Sequence, residues 1–195
     1  MLDNSGSMNG SRLETCKRAM LTDIFPNRLH ETDRVGLVVF DCSINQKINL
    51  GPWNGPHRSG LESTLRAVQS RGGTQMWNAL SETIKMFSAS DNSKWLVALT
   101  DGESSGYPGE VHRQLRTTAG QAIRVLFITV GLSPGAGNLI RETCMHAEGD
   151  EMIAANGGMA ELQKAWQAVG DRLTVSQKIM KQGETITPAE CGQLL

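Results

Sequence analysis

Three features of the chain predict an α/β fold: a mostly parallel sheet with helices on both faces. Short β-branched runs such as "RVGLVVFD" (34–41), "KWLVALT" (94–100) and "RVLFITVG" (124–131) are apolar at successive positions, as strands buried on both faces require. Segments with apolar residues at helical spacing alternate with these runs, the pattern of βαβ units. The 195 residues suit about one domain, and no internal repeat or low-complexity tract interrupts them.

The first helix is predicted from Ser11, with Ser11 and Glu14 as a capping box and Leu13, Cys16, Met20, Leu21 and Ile24 as its apolar stripe. Pro26 and Asn27 mark its expected end. The strand at 34–41 follows, then "INQKINL" (44–50), whose alternation fits an edge strand with one wet face. The short gap between them predicts an antiparallel hairpin. "GPWNGPH" reads as a loop, and Leu61, Leu65 and Val68 as a short helix that "RGGTQ" ends. Trp77, Leu80, Ile84 and Phe87 stripe the next helix; the 94–100 strand and the loop "DGESSGYPG" come after it. A polar helix at 110–120, the 124–131 strand, a helix near 138–147 opened by "PGAGN", and a short strand "EMIAA" continue the alternation. Leu162, Trp166, Val169 and Leu173 stripe a final helix, leaving 176–195 as a tail or linker.

Composition narrows the function. The net charge of -1 and the lack of a Lys/Arg run argue against nucleic acid and anionic membrane as partners. No apolar run reaches the ~20 residues of a membrane span, so no membrane insertion is expected. Cys16, Cys42, Cys144 and Cys191 are widely spaced with no CxxC pair. They read as reduced thiols, and with no signal peptide in the chain as given the expected location is cytoplasmic. Cys144 and His146 in "CMH" read as a buried thiol beside a surface imidazole, because no second ligand pair accompanies them.

Ligands of open α/β sheets bind at the carboxyl ends of the strands. Asp3, Ser5 and Ser7 stand where a strand should hand over to the first helix, Thr74 precedes a helix after a Gly-Gly pair, and Asp101 follows the 94–100 strand. Together they offer hydroxyl and carboxylate oxygens, a hard donor set suited to Mg²⁺ or Mn²⁺. The competing reading makes Asn4, Ser5, Ser7, Ser11 and Thr74 helix caps and Asp101–Gly102 a plain turn. Glu103 reads as a solvated loop acid. Trp53 and Tyr107 are candidate interface anchors, with packing of Trp53 under its own loop the alternative; Trp77 and Trp166 read as core.

These motifs carry a resemblance. "LDNSGSM" resembles the D-x-S-x-S motif of the von Willebrand factor A domain family; "GGTQMWNAL", "LVALTDGE" and "DRVGLVVFD" resemble its threonine loop, aspartate loop and second strand, in family order over about residues 1–175. The resemblance implies a Rossmann-like doubly wound sheet of order 3-2-1-4-5-6 with one antiparallel edge strand, and a metal-ion-dependent adhesion site. Ser5, Ser7 and Thr74 would be hydroxyl ligands, with Asp3 and Asp101 holding the cation largely through water. It further implies a protein-binding module in which a partner's Asp or Glu completes the coordination. A metal-assisted hydrolase is the alternative; it lacks support, since none of the four His falls in the motifs and neither a nucleophile elbow nor a P-loop is present. A scaffold domain of a larger intracellular protein is the third reading.

The family's first strand sits mid-sheet, and here only Met1 and Leu2 precede Asp3. The expectation is therefore an N-terminally truncated domain, a fragment in which the flanking strands carry unpaired inner edges, each buried orphan costing about 1–3 kcal/mol. A different segment filling the slot, or closure of the two flanking strands, is the alternative.

Overall fold

The computed structural model describes residues 1–88, 93–102, 104–117, 123–131, 133–147, 153–155 and 159–182. Six strands form one sheet of order β3-β2-β1-β4-β5-β6: β1 (Leu2–Asp3), β2 (Arg34–Phe40), β3 (Ile44–Pro52), β4 (Lys94–Thr100), β5 (Ile123–Val130) and β6 (Ile153–Ala155). All neighbours pair parallel except β2 and β3, the expected hairpin.

Successive residues of the central strands face opposite sides, which explains their unbroken apolar runs. Leu37, Val39, Leu99, Leu126 and Ile128 join a core with α1 (Ser11–Ala19), α3 (Gly55–Ala67) and α7 (Met159–Gln182). Phe40, Leu96, Ala98, Val125 and Phe127 join a second core with α4 (Met76–Ile84), α5 (Gly109–Thr117) and α6 (Pro134–Met145). Each fully buried Leu or Phe contributes about 1.5–3 kcal/mol, so both faces of the sheet are stabilised. Trp77 and Trp166 lie in these cores, as the helical stripes predict.

Several boundaries differ from the sequence reading, for local reasons. Gly10, not Ser11, caps α1, with no side-chain capping bond; Glu14 turns instead to Lys17, 2.8 Å away. The first helix does not stop at Pro26. It widens into a π turn over Met20–Ile24 and continues as α2 (Phe25–Arg28), with Pro26 in the first turn of α2. Pro26 has no N–H for the Thr22 carbonyl, and Asn27 Nδ2 donates to that oxygen instead, at 3.2 Å. "GPWNGPH" is mostly not loop: β3 extends through Pro52 and α3 begins at Gly55, with Pro56 pre-set for its first turn. Trp53 is no interface anchor. It is buried, its ring 4.8 Å from that of Phe25 and under the Arg58 guanidinium. Tyr107 is 64% exposed and keeps its surface position. The final helix runs to Gln182, so the first residues of the expected tail are helical; 183–195, with Cys191, and Glu103 lie outside the described residues.

β1 occupies the centre of the sheet with two residues, Leu2 opposite both Val39 and Leu99. The Met1 ammonium donates to Val97 O at 2.8 Å, the last sheet contact in this row. Beyond it β2 and β4 do not close up. A cavity of about 470 Å³ lies between Gly36–Val38 and Leu96–Val97, walled by Phe25 and Trp166 on one face and by Met86 and Phe87 on the other. The buried Lys94 Nζ, at the base of this cavity, has no hydrogen-bond partner among the described residues.

Candidate metal centre

The five residues singled out by the sequence converge on the carboxyl end of the sheet. Asp3 ends β1, and Asp101 follows β4 directly. Both carboxylates are buried, Asp3 fully. In front of them a cavity of about 640 Å³ is lined by Ser5, Ser7 and Thr74, with Gly72, Gly73, Gly102, Ser104 and Ser133 around it. Trp77, Ala136 and Leu139 give it an apolar wall.

The loop after β1 is built by its own polar groups. Ser5 N–H donates to Asp3 Oδ1 at 2.8 Å, which folds the chain back so that Ser5 and Ser7 point the same way. Their hydroxyl oxygens are 3.1 Å apart. Ser5 stands at the N-cap position of the short 3-10 turn Gly6–Met8 but makes no side-chain capping bond to it, and Ser7 lies inside that turn. Thr74 is not the cap of α4, which starts from Gln75. The side-chain capping bonds that the competing reading requires are therefore absent at Ser5, and Thr74 is outside the cap position.

The loop carrying Thr74 is clamped to the Asp3 loop through backbone. Gly6 N–H donates to Gly72 O at 3.0 Å and Arg71 N–H to Asn4 O at 2.7 Å. Asn4 Nδ2 adds a bond to Gln69 O. Gly72 has φ +67°, and a Cβ there would come within 3.2 Å of the Asp41 carboxyl, so both conformation and space demand glycine. Asp41 is held by Arg71 at 3.1 Å, and its carbonyl receives Gln75 N–H at 2.7 Å. Hydrogen bonds from Asn45 and Ser43, together with the Arg71 charge, outweigh burial and keep the Asp41 carboxyl below its usual range.

Thr100 was not among the sequence candidates. Its hydroxyl donates to Asp3 Oδ2 at 2.6 Å and receives Gly102 N–H at 3.0 Å. One side chain thus ties β1 to the turn carrying Asp101. Its place as the last strand residue before Asp101 was the available signal. Ser104 is a second addition; its hydroxyl receives the first N–H of α4, from Met76, at 2.9 Å. Burial raises the Asp3 carboxyl from 3.8 to about 6; the Thr100 and Ser5 hydrogen bonds pull the other way, and Asp101 adds to the rise. Among the described residues no cationic side chain contributes to this shift, so the carboxylate gains no countercharge from them.

Residues 1–163 match the family model for the von Willebrand factor type A domain. An uncharacterized protein of Synechocystis sp. is 32% identical over 111 residues, covering 53% of this chain and 24% of the relative, so the match spans about a quarter of that protein. Among solved structures, the conserved hypothetical protein BatB from Bacteroides thetaiotaomicron superposes with TM-score 0.68 at 19% identity, covering 91% of this chain and 96% of that one. The pilus adhesin SpaC from Lactobacillus rhamnosus GG, in its open conformation, gives 0.71 at 15% identity, covering 89% of this chain and 29% of the adhesin. These structures share the fold, and with the family match over most of its length the chain belongs to the von Willebrand factor type A domain family.

Proposed function

We propose that this domain is a protein-binding module that holds a divalent cation, Mg²⁺ or Mn²⁺, between Ser5, Ser7, Thr74, Asp3 and Asp101, and recognises an Asp or Glu of a partner protein. One observation carries the reading: three hydroxyl residues open on a single cavity while two carboxylates lie buried behind them. The donor set fits a hard cation. The 3.1 Å between Ser5 Oγ and Ser7 Oγ matches the edge of about 3 Å between adjacent ligands of an octahedral site with 2.0–2.1 Å bonds. Neutral hydroxyls in front leave the cation electron-poor, so an acidic side chain entering from the cavity is the natural last ligand. The apolar wall of Trp77, Ala136 and Leu139 would pack against the stem of that side chain.

A binding role is favoured over hydrolysis because, among the described residues, no imidazole or lysine lines the cavity to serve as general base. Among the described residues no helix is long and apolar enough to cross a membrane. The free thiols Cys16 and Cys42 fit a reducing compartment such as the cytoplasm.

The test is calorimetric titration of Mg²⁺ and Mn²⁺ into chelator-treated protein and into Asp3→Ala. Binding to the native chain and its loss in the variant is the expected result. Proteins captured by the immobilised domain should elute with EDTA; capture indifferent to both EDTA and Asp3→Ala overturns the proposal.

A further inference from the structure

His146 has the partners that its local sequence does not show. Glu142 on α6 and His146, the C-cap residue at its end, stand four residues apart in helical backbone and so share one face. His112, on α5, faces them. One ligand atom from each of the three lies within 4.8 Å of the other two. The neighbouring Cys144 is not part of this group.

Hydrogen bonding fixes how His112 presents its ring. Thr143 Oγ1 donates to Leu139 O at 2.8 Å, so its one proton is used. The contact of 2.9 Å between Thr143 Oγ1 and His112 Nε2 must then run from an Nε2–H to the hydroxyl. The neutral Nε2–H tautomer has its one acceptor lone pair on Nδ1, and Nδ1 faces Glu142 Oε1 at 3.8 Å. Two acceptors thus point at each other across a gap with no proton between them. The ring is buried, which favours its neutral form, while His146, at 4.4 Å between ring centroids, stands on the same side. A cation between these atoms resolves the opposition. Ligand bonds of about 2.0–2.2 Å at a tetrahedral centre separate donors by roughly 3.4 Å, so the half-exposed Glu142 must close from 3.8 Å and the whole group from a spread of at most 4.8 Å.

The geometry points to a second cation site, His112–Glu142–His146, that takes a borderline transition metal of the Zn²⁺ class and pins α5 to α6. Imidazole and carboxylate donors select such an ion over Mg²⁺, so the site differs in chemistry from the hydroxyl-lined cavity. The Nε2–H bond to Thr143 is the outer support that ligating imidazoles usually have. The exposed Arg116 Nη2 lies 3.4 Å from His146 Nε2 and must swing away on binding. Tyr107 OH, 3.4 Å from Glu142 Oε1, stays as a hydrogen-bond donor to the carboxylate.

The experiment is titration of Zn²⁺, and of Co²⁺ as a spectroscopic probe, into the full chain and into Asp3→Ala, both in saturating Mg²⁺. Both should bind one equivalent, and the Co²⁺ form should show the intense visible bands of a four-coordinate ion. His146→Ala, a surface change, should abolish the bands. Thr143→Val should weaken binding about 10–100-fold, and Arg116→Ala should tighten it. A chain without those bands, or Zn²⁺ bound equally well by His146→Ala and Glu142→Gln, overturns the proposal. Retention in Asp3→Ala separates this site from the hydroxyl-lined one.

Discussion

The hydroxyl of Thr100 donates to Asp3 Oδ2 at 2.6 Å, joining the carboxyl ends of the neighbouring strands β4 and β1. This bond crosses 97 residues of sequence and supports a fully buried carboxylate. Thr100→Val keeps the side-chain shape and removes the donor. The expected result is a loss of about 1–3 kcal/mol at pH 8, read by urea denaturation in EDTA. The Asp3 carboxyl should titrate still higher, moving the pH profile of Mg²⁺ binding upward. An unchanged profile would show that Thr100 does not support the carboxylate.

Asp3 itself predicts an unusual pH dependence. Its folded value, about 6, lies above the ordinary 3.8, so between those values the folded chain binds more protons than the unfolded one. Stability from this group is therefore full below about pH 4 and lost as pH rises through 6. The gap from 3.8 to about 6 corresponds to roughly 3 kcal/mol. Without metal, the protein should unfold at lower urea at pH 8 than at pH 5. Mg²⁺ should remove most of that difference, because a cation stabilises the charged form. Equal denaturation midpoints at the two pH values in EDTA would contradict the assignment.

The cavity between β2 and β4 predicts that the sheet gains from being completed. A short apolar, β-branched extension placed ahead of Met1 is expected to enter this cavity, beside Gly36–Val38 and Leu96–Val97, and to cover Phe25, Trp166 and Met86. It would also remove the ammonium, which burial depresses to about 5. At about 2–4 °C per kcal/mol for a domain of this size, several new buried hydrogen bonds and side chains should raise Tm by roughly 10 °C. Identical melting of the extended and unextended chains would mean the slot closes in solution.

Trp53 and Tyr107 separate packing from surface. Trp53→Ala removes a buried ring that packs against Phe25 and should cost about 3–5 kcal/mol. Tyr107→Ala, at an exposed position, should stay within about 0.5 kcal/mol. Chemical denaturation of both variants checks this; a stable Trp53→Ala would return Trp53 to the surface.

The strands were legible because each rests on a short-range signal, an apolar run; their order followed only from the resemblance to the von Willebrand factor A family. The meeting of Asp3, Ser5, Ser7, Thr74 and Asp101 at one end of the sheet followed from their places at strand and helix ends. The elements misplaced were those where a distant partner decides. Pro26 does not end its helix because a π turn and Asn27 absorb its missing N–H. Trp53 is buried because α2 supplies Phe25 from another part of the chain. His146 meets His112 only because α5 is brought against the end of α6, whereas "CMH" directed attention to its neighbour Cys144. Thr100 passed as a strand residue because its partner, Asp3, is brought near only by the sheet.

Gly72 gives the most local test of how the two loops of the candidate site are held. Its φ of +67°, and the 3.2 Å that would separate a Cβ on this residue from the Asp41 carboxyl, together disfavour any side chain. Gly72→Ala must either strain the backbone, at a cost of about 1–2 kcal/mol, or push Asp41 away from Arg71. Either response shifts the Gly72 carbonyl that receives Gly6 N–H, and with it the position of Thr74 relative to Ser5 and Ser7. The variant should therefore stay folded, lose about 1–2 kcal/mol in chemical denaturation, and bind Mg²⁺ at least tenfold more weakly in calorimetry. Zn²⁺ binding at His112, Glu142 and His146 should be unchanged, since none of those residues lines the cavity that this loop borders. Loss of stability with Mg²⁺ affinity intact would show that the clamp between Gly6 and Gly72 does not set the position of Thr74.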